Sequence, residues 1–287
     1  TDRILRELDQ KKIVIVAGFQ GVNKYDDITT LGRGGSDTSA VALAAALHAE
    51  LCQIYTDVAG VFTADPRIVP DASKLDDVSY DEMLELASLG ANVLHNRSVE
   101  VAKKFNVNME VVSSFQKVSG TSVKEVSRVE KMLVRGVAKD DDVARISLLD
   151  IGDEPGKAFT LFSILAKKGI NVDIILQSIG RDGKKDISFT VPESLLDTAV
   201  ATLRENMDII GASNILHDAD VSKVSIVGAG MASNPGVAAK MFEALYGANI
   251  NIKMISTSEI KISVLVAKRE GNSAVRAIHE KFNLSNI

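Results

Sequence analysis

One stretch of the carboxyl-terminal half of this chain occurs twice. Pro155-Gly156, Ala158, Phe162, Leu165, Ile170-Asn171, Ile175 and Ser178 return, at a constant offset, as Pro235-Gly236, Ala238, Phe242, Leu245, Ile250-Asn251, Ile255 and Ser258. Two copies of one pattern must fold as two units of one shape, which restricts the architecture more than any other feature. The first copy reads as strands Arg145 to Leu149, Asn171 to Ser178, Asp186 to Val191 and Ser213 to His217, with helices from Pro155 and Glu193. This order, βαββαβ, is ferredoxin-like. The second copy has strands Val224 to Val227, Asn251 to Thr257 and Lys261 to Ala267, with helices Pro235 to Tyr246 and Asn272 to Phe282, and no room for a final strand. An open sheet edge is a liability. The stretch Met132 to Ala138, ahead of the first copy, is spare, and it is expected to complete the second copy and interweave the two.

The amino-terminal half alternates strands and helices. Ile4, Leu5 and Leu8 fall at helical spacing, and Asp9-Gln10-Lys11-Lys12 breaks to the apolar run Ile13 to Ala17. A run without polar alternation suits a strand buried on both faces of a parallel sheet. Then come an alanine-rich helix, Ser39 to Ala49, and the strand Leu51 to Tyr55. A further helix is capped by Ser79, with Glu82 completing a capping box and Gly90 closing it. Another helix, Arg97 to Phe105, precedes the strand Met109 to Val112. This predicts a three-layer αβα domain over residues 1–121. The polar stretch Ser119 to Glu130 reads as a linker, assigned to 122–130. Residues 131–220 form the first repeat unit, with 131–138 lent to the second, which takes 221–287.

Three loops of the first half suggest chemistry. In Thr30-Leu31-Gly32-Arg33-Gly34-Gly35-Ser36-Asp37-Thr38 the glycines allow close approach of a ligand to the backbone, and Ser36 or Asp37 can cap a helix whose free N–H groups favour an anion. Arg33 adds a planar fork matched to carboxylate or phosphate. A plain glycine turn with a solvated Arg33 competes with that reading while the loop is taken alone. Gly18-Phe19-Gln20-Gly21 is a second glycine-bounded loop, at a strand end where open α/β sheets bind ligands. The third, Thr56 to Arg67, could hold a purine on Phe62 and Val58 with Arg67 at phosphate, while Asp65-Pro66 could equally be an ordinary turn. His95 has no His or Cys at ligand spacing and reads as structural or substrate-proximal, so no metal ligands are assigned.

The formal net charge of -5 without a basic cluster argues against nucleic acid as a main partner. Cys52, the single cysteine, lies in an apolar run and reads as a small buried hydrophobe in a reducing cytoplasm. No apolar run approaches the roughly 20 residues of a membrane helix, and nothing at Thr1 resembles a signal peptide. Thr1 to Leu8 has no initiator Met and reads as the body of an amphipathic helix, so the chain is expected to be cut from something longer.

Taken in order, Gly18 to Gly21, Thr30 to Thr38 and Thr56 to Arg67, followed by Ser79-Tyr80-Asp81-Glu82 and Leu94-His95, closely resemble the aspartate kinases of the amino-acid kinase family. The repeat resembles the tandem ACT domains that sense amino acids in the same family. The resemblance implies transfer of the γ-phosphoryl group of ATP, with Mg²⁺, to the β-carboxylate of L-aspartate, at the head of lysine, threonine and methionine synthesis. By position, Arg33 would clamp a substrate carboxylate beside Gly34, Gly35 and Ser36, and Asp37 would orient a phosphate-binding lysine. Thr56, Asp57, Phe62 and Arg67 would surround the nucleotide. Asp153, Gly156, Ala158, Asp173 and Gln177 would hold lysine or threonine in the first repeat unit. The second unit has Ser233 and Lys253 in place of Asp153 and Asp173, and so lacks carboxylates for an ammonium. Effectors are expected between ACT units paired across a homo-oligomer.

The family's Lys-Phe-Gly-Gly-Thr/Ser loop and its aspartate-holding glutamate are not in this sequence, and Lys11 and Lys12 do not replace that lysine. The chain alone is therefore expected to be inactive, since a cation acting on developing charge contributes several kcal/mol. Asn96, where many relatives have proline, and Asn92, where some have a nucleotide-contacting lysine, are further departures. Two other readings compete: a non-catalytic, amino-acid-sensing regulatory chain, and a kinase with a different acceptor, which the paired ACT units argue against.

Overall fold

The computed structural model describes residues 1–90, 93–125, 133–178, 180, 182–231 and 234–287. Asn92, Ser233, Met132 and residues 126–130 of the expected linker lie outside the described residues.

After helix α1 (Asp2–Asp9), strands β1 (Gln20–Val22) and β2 (Ile28–Thr30) form an antiparallel hairpin. The apolar run before it is not a strand. Ile13 is 94% and Ile15 93% exposed, and no described strand pairs with them. An apolar run becomes a buried strand only where a ladder partner and a covering layer are present, and neither lies beside it here.

Helix α2 (Gly35–Ala46) leads to β3 (Cys52–Thr56), β4 (Asp77–Val78), α3 (Tyr80–Ser88), α4 (Asn96–Phe105), β5 (Met109–Ser113) and β6 (Thr121–Val123). The four strands form one sheet in the order β3-β5-β6-β4; β3 runs parallel to β5 and β4 to β6, while β5 and β6 are antiparallel. Thr121–Val123 therefore departs from the expected linker. Its Thr121 is fully buried, and its hydroxyl accepts the Val61 N–H at 2.9 Å and donates to the Leu75 carbonyl at 2.6 Å, so a polar sequence is satisfied inside a sheet. Val41, Ile54, Met83, Leu86, Val99 and Met109 share one core. Cys52 and Ile54 of β3 face that core, while Gln53 and Tyr55 are exposed. The α3 capping box is present: Ser79 Oγ accepts the Glu82 N–H, and a Glu82 carboxylate oxygen accepts the Ser79 N–H at 3.1 Å.

The second half begins with β7 (Gly136–Asp140). The first repeat unit follows as β8 (Ala144–Gly152), α5 (Lys157–Lys167), β9 (Ile175–Gln177), β10 (Lys184–Val191), α6 (Leu196–Arg204), α7 (Met207–Ile210) and β11 (Asn214–Asp218). The second comprises β12 (Val221–Val227), α8 (Val237–Gly247), β13 (Met254–Thr257), β14 (Lys261–Ala267) and α9 (Gly271–Lys281). Their sheets run β11-β8-β10-β9 and β13-β14-β12-β7, all antiparallel. β7 pairs with β12 from Gly136 opposite Val227 to Asp140 opposite Lys223, so a strand that precedes the first unit fills the fourth place in the second. The ladder of β9 begins only at Ile175, although the apolar pattern starts at Asn171. Met254 is buried and Ile252 packs against the core of the second unit.

Candidate functional site

The two glycine loops converge on the start of α2. Phe19 N–H donates to Ser39 Oγ at 3.2 Å, and Leu31 N–H donates to the Phe19 carbonyl at 3.0 Å. The helix opens at Gly35 instead of Ser39, with Gly34 as its N-cap at φ 73° and no side-chain cap. Ser36 and Asp37 thus sit in the first turn and do not cap it, because the chain enters from a left-handed turn that glycine takes without strain. A Cβ on Gly34 would also collide with the His95 ring.

Helix α4 closes the other side of this loop. His95 is its N-cap and accepts the Arg97 N–H at Nδ1 over 3.3 Å, and the Arg97 guanidinium donates to the Leu31 carbonyl at 3.1 Å. The sequence left His95 as structural or substrate-proximal, and its place as a helix cap is structural; nothing in its spacing marked Arg97. Arg33 is exposed on the loop, and among the described residues it forms no ion pair. Burial pushes the Asp37 carboxyl above its usual range, against a hydrogen bond from the His95 backbone and the His95 charge, which lower it. Chemically, the loop presents one free guanidinium, an uncapped helix turn and a carboxylate held in place, which suits an anionic guest.

The third loop leaves β3 at Thr56, whose hydroxyl donates to Asp57 Oδ1 at 3.1 Å. Phe62 is half-buried and bridges to Lys74. Arg67 folds back on its own turn: Nε reaches Asp65 Oδ1 at 3.0 Å and Nη2 reaches Asp65 Oδ2 at 2.7 Å. That pairing holds the Asp65 carboxyl below its usual value. Asp65-Pro66 thus opens an ordinary turn, and Arg67, 88% exposed at its side chain, lies in solvent. Asp57 is near enough for its charge to raise the Arg67 pKa further.

Thr63, between Phe62 and Asp65, is fully buried and was not singled out by the sequence. Its hydroxyl meets His279 Nε2 of α9 at 2.8 Å. The same oxygen accepts the Ser73 N–H at 3.1 Å, so its proton is available to an unprotonated Nε2. Burial lowers the His279 pKa, which keeps the ring neutral.

A buried ionic cluster joins the halves beside this contact. Arg135, just before β7, meets Asp77 at 3.2 Å and Glu82 at 3.6 Å, and Glu82 also accepts the Ala229 N–H at 3.2 Å. Lys261 of β14 pairs with Glu85 of α3 at 2.9 Å.

In the first repeat unit, Gly156 caps α5 at φ 93° without a side-chain cap, and Ala158 lies in that helix's first turn. Asp153 is exposed and bonded to Lys185 at 2.8 Å. Asp173 bonds Lys223 at 2.7 Å, and its N–H donates to the Thr190 carbonyl. Lys185 and Thr190 lie near opposite ends of β10, about 16 Å apart at strand rise. One chain therefore does not bring Asp153 and Asp173 together, contrary to their expectation as one effector set. Gln177 pairs with Ile187, two residues from Lys185 on β10, and lines a groove of about 390 Å³ with Arg145, Ser178, Asp186 and Lys253. In the second unit Lys253 bonds Asp218 at 2.8 Å.

The amino acid kinase family profile matches residues 1–113, and the ACT domain profile matches 150–207 and 224–282. The aspartokinase of Bacillus sp. (strain MGA3) is 50% identical over 286 residues, covering 99% of this chain and 70% of its own. The crystal structure of E. coli aspartokinase III with aspartate and ADP matches at a TM-score of 0.81 and 29% identity, over 97% of this chain and 62% of that one. The regulatory subunit of aspartate kinase from Thermus thermophilus, ligand-free, matches at a TM-score of 0.50 and 41% identity, over 52% of this chain and 99% of that subunit.

Proposed function

Because this chain belongs to the aspartokinase family, we propose that it forms the acceptor and nucleotide side of an aspartate kinase and the regulatory unit behind it. The reaction breaks the bond between the γ-phosphorus and the bridging oxygen of ATP and joins that phosphorus to an oxygen of the β-carboxylate of L-aspartate, giving aspartyl phosphate and ADP. The observation that supports this most is the convergence of both glycine loops with His95 and Arg97 around an exposed Arg33.

Phosphoryl transfer asks a protein mainly to position reactants and neutralise charge. In this reading Arg33 clamps a carboxylate of aspartate over Gly34, Gly35 and Ser36, and Asp37 orients the cation that meets the phosphate. Thr56, Asp57, Phe62 and Arg67 receive ATP, and Arg67 has only to turn from Asp65 to phosphate. Mg²⁺ would arrive on the nucleotide, since this ion keeps waters and uses one or two carboxylates beside the phosphates. Bound there, it would screen phosphate charge.

Regulation follows from the repeat. Lysine or threonine binds at the Gly156 turn of the first unit, and a second copy of the chain supplies the partner surface that brings Asp173 into reach of it. The enzyme acts in the cytoplasm; no described helix is long and apolar enough to cross a membrane. The test is ADP release by the full-length polypeptide, dependent on aspartate, with Arg33→Ala. Loss of a charge-assisted pair worth about 2–3 kcal/mol should raise the aspartate KM roughly 100-fold and leave the ATP KM nearly unchanged. An unchanged aspartate KM would remove Arg33 from the site.

A second reading, a sensing chain without catalysis, draws support from the regulatory subunit that aligns over 99% of its own length. It predicts lysine or threonine binding with no aspartate-dependent turnover by the full-length protein.

A further inference from the structure

We propose that the second ACT unit positions the nucleotide loop, with His279 as a positioning residue acting through Thr63. This rests on assigning the Thr56–Arg67 loop to ATP.

Thr63 is held from three directions. Its N–H donates to the Ser73 carbonyl at 2.9 Å, its carbonyl accepts the Val137 N–H of β7 at 2.7 Å, and its hydroxyl meets His279 of α9. Val137 and His279 both belong to the sheet and helix of the second unit, and His279 is 1% exposed. The loop is pinned on its far side as well: Arg276 Nε donates to the Ile68 carbonyl at 3.0 Å, and Ala64 and Val69 bury in the same core as Val137, Ala274 and Ile278. Phe62 immediately precedes this anchor, and the Asp65–Arg67 turn hangs between its two fixed points. A shift of α9 against β7 must therefore move the ring and the guanidinium together, because packed elements transmit displacement and do not absorb it. No contact of this kind links the α5 turn of the first unit to the loop among the described hydrogen bonds.

A merely structural role would lower stability and leave nucleotide binding alone, so the test separates the two in the full-length protein. Thr63→Val keeps the shape and deletes the hydroxyl; it should raise the ATP KM and the MgATP dissociation constant about ten-fold. The aspartate KM should stay within about two-fold. Thr63→Ser restores the hydroxyl and should restore ATP affinity. His279→Leu should match Thr63→Val, and the double variant should be no worse than either single one, as for partners in one contact. If Thr63→Val does not fold, His279→Leu carries the same test. A folded Thr63→Val or His279→Leu with unchanged ATP affinity, or with both substrates weakened equally, overturns the positioning role. Phe62→Ala and Arg67→Ala locate the failure. If they weaken ATP while Thr63→Val does not, only the lever is wrong; if they also leave ATP unaffected, the nucleotide assignment falls and the lever with it.

Discussion

The two repeat units share a turn and differ just before it. Gly156 and Gly236 cap α5 and α8 at φ 93° and 94°, and both helices span 11 residues. In the first unit β8 continues to Gly152, paired with Lys184 of β10. In the second, β12 ends at Val227, Gly228 follows, and Ala229 gives its N–H to Glu82 of the catalytic half. A Cβ on Gly228 would strike the Leu133 carbonyl. The stretch that frames an open turn in one copy is diverted, in the other, to the joint between halves. Charge has swapped as well: Asp173 of the first unit bonds Lys223 of the second, while Lys253, at the equivalent position, bonds Asp218 of the first. Duplication has thus preserved the fold and both open helix turns, while diverting the segment before the second turn to the joint.

The largest expected effect lies at the joint. Arg135→Ala removes the guanidinium that faces the buried carboxylates of Asp77 and Glu82, whose side chains are 11% and 4% exposed. It should cost about 3–5 kcal/mol in chemical denaturation, whereas Lys185→Ala, which frees only the exposed Asp153, should cost under about 1 kcal/mol. Equal costs would erase the distinction between the units. Next, Gly228→Ala should destabilise by roughly 1–3 kcal/mol through overpacking. Gly156→Ala meets open space and only a left-handed backbone, so it should cost about 1–2 kcal/mol while weakening lysine or threonine binding. Asp173→Ala should weaken effector binding about ten-fold by calorimetry, as expected on losing a charged hydrogen bond; unchanged affinity for both amino acids would remove it from the site.

The smallest effect is a pH dependence at the joint. The folded-state pKa of His279 lies below its ordinary 6.5, so the unfolded chain takes up the proton first. The stability tied to a neutral His279 is complete above 6.5 and is lost as pH falls through the folded value, with a slope of at most about 1.4 kcal/mol per pH unit. Asp71, which opposes this lowering, moderates it. His279→Gln should flatten the stability profile within that window, between pH 6.5 and the folded value.

Signals set by near neighbours in sequence or by the repeat survived translation into structure, and those that depend on a distant partner did not. The Ser79–Glu82 capping box and the Pro-Gly turns are set by neighbours a few residues apart, so the sequence displays them. The strand at Gly136–Asp140 was legible by counting, since one sheet lacked a strand and one strand lacked a sheet. Ile13 to Ala17 misled because hydrophobicity reports a preference for burial and not the presence of a partner. Thr121–Val123 hid in a polar stretch because its buried threonine is satisfied by Val61 and Leu75, far away in sequence. At the candidate site the glycines and Arg33 were visible as a motif. Arg97, Thr63 and His279 were not, since their contacts join residues far apart in the sequence.

Hydrogen exchange of the stretches that precede the two turns tests the divergence most directly. The account predicts that the amides of Gly228 and Ala229 exchange only with global unfolding, that those of Asp153 and Glu154 exchange by local opening, and that lysine or threonine adds protection at Gly156 to Thr160. Equal exchange in both stretches, or effector protection confined to the second, would contradict it.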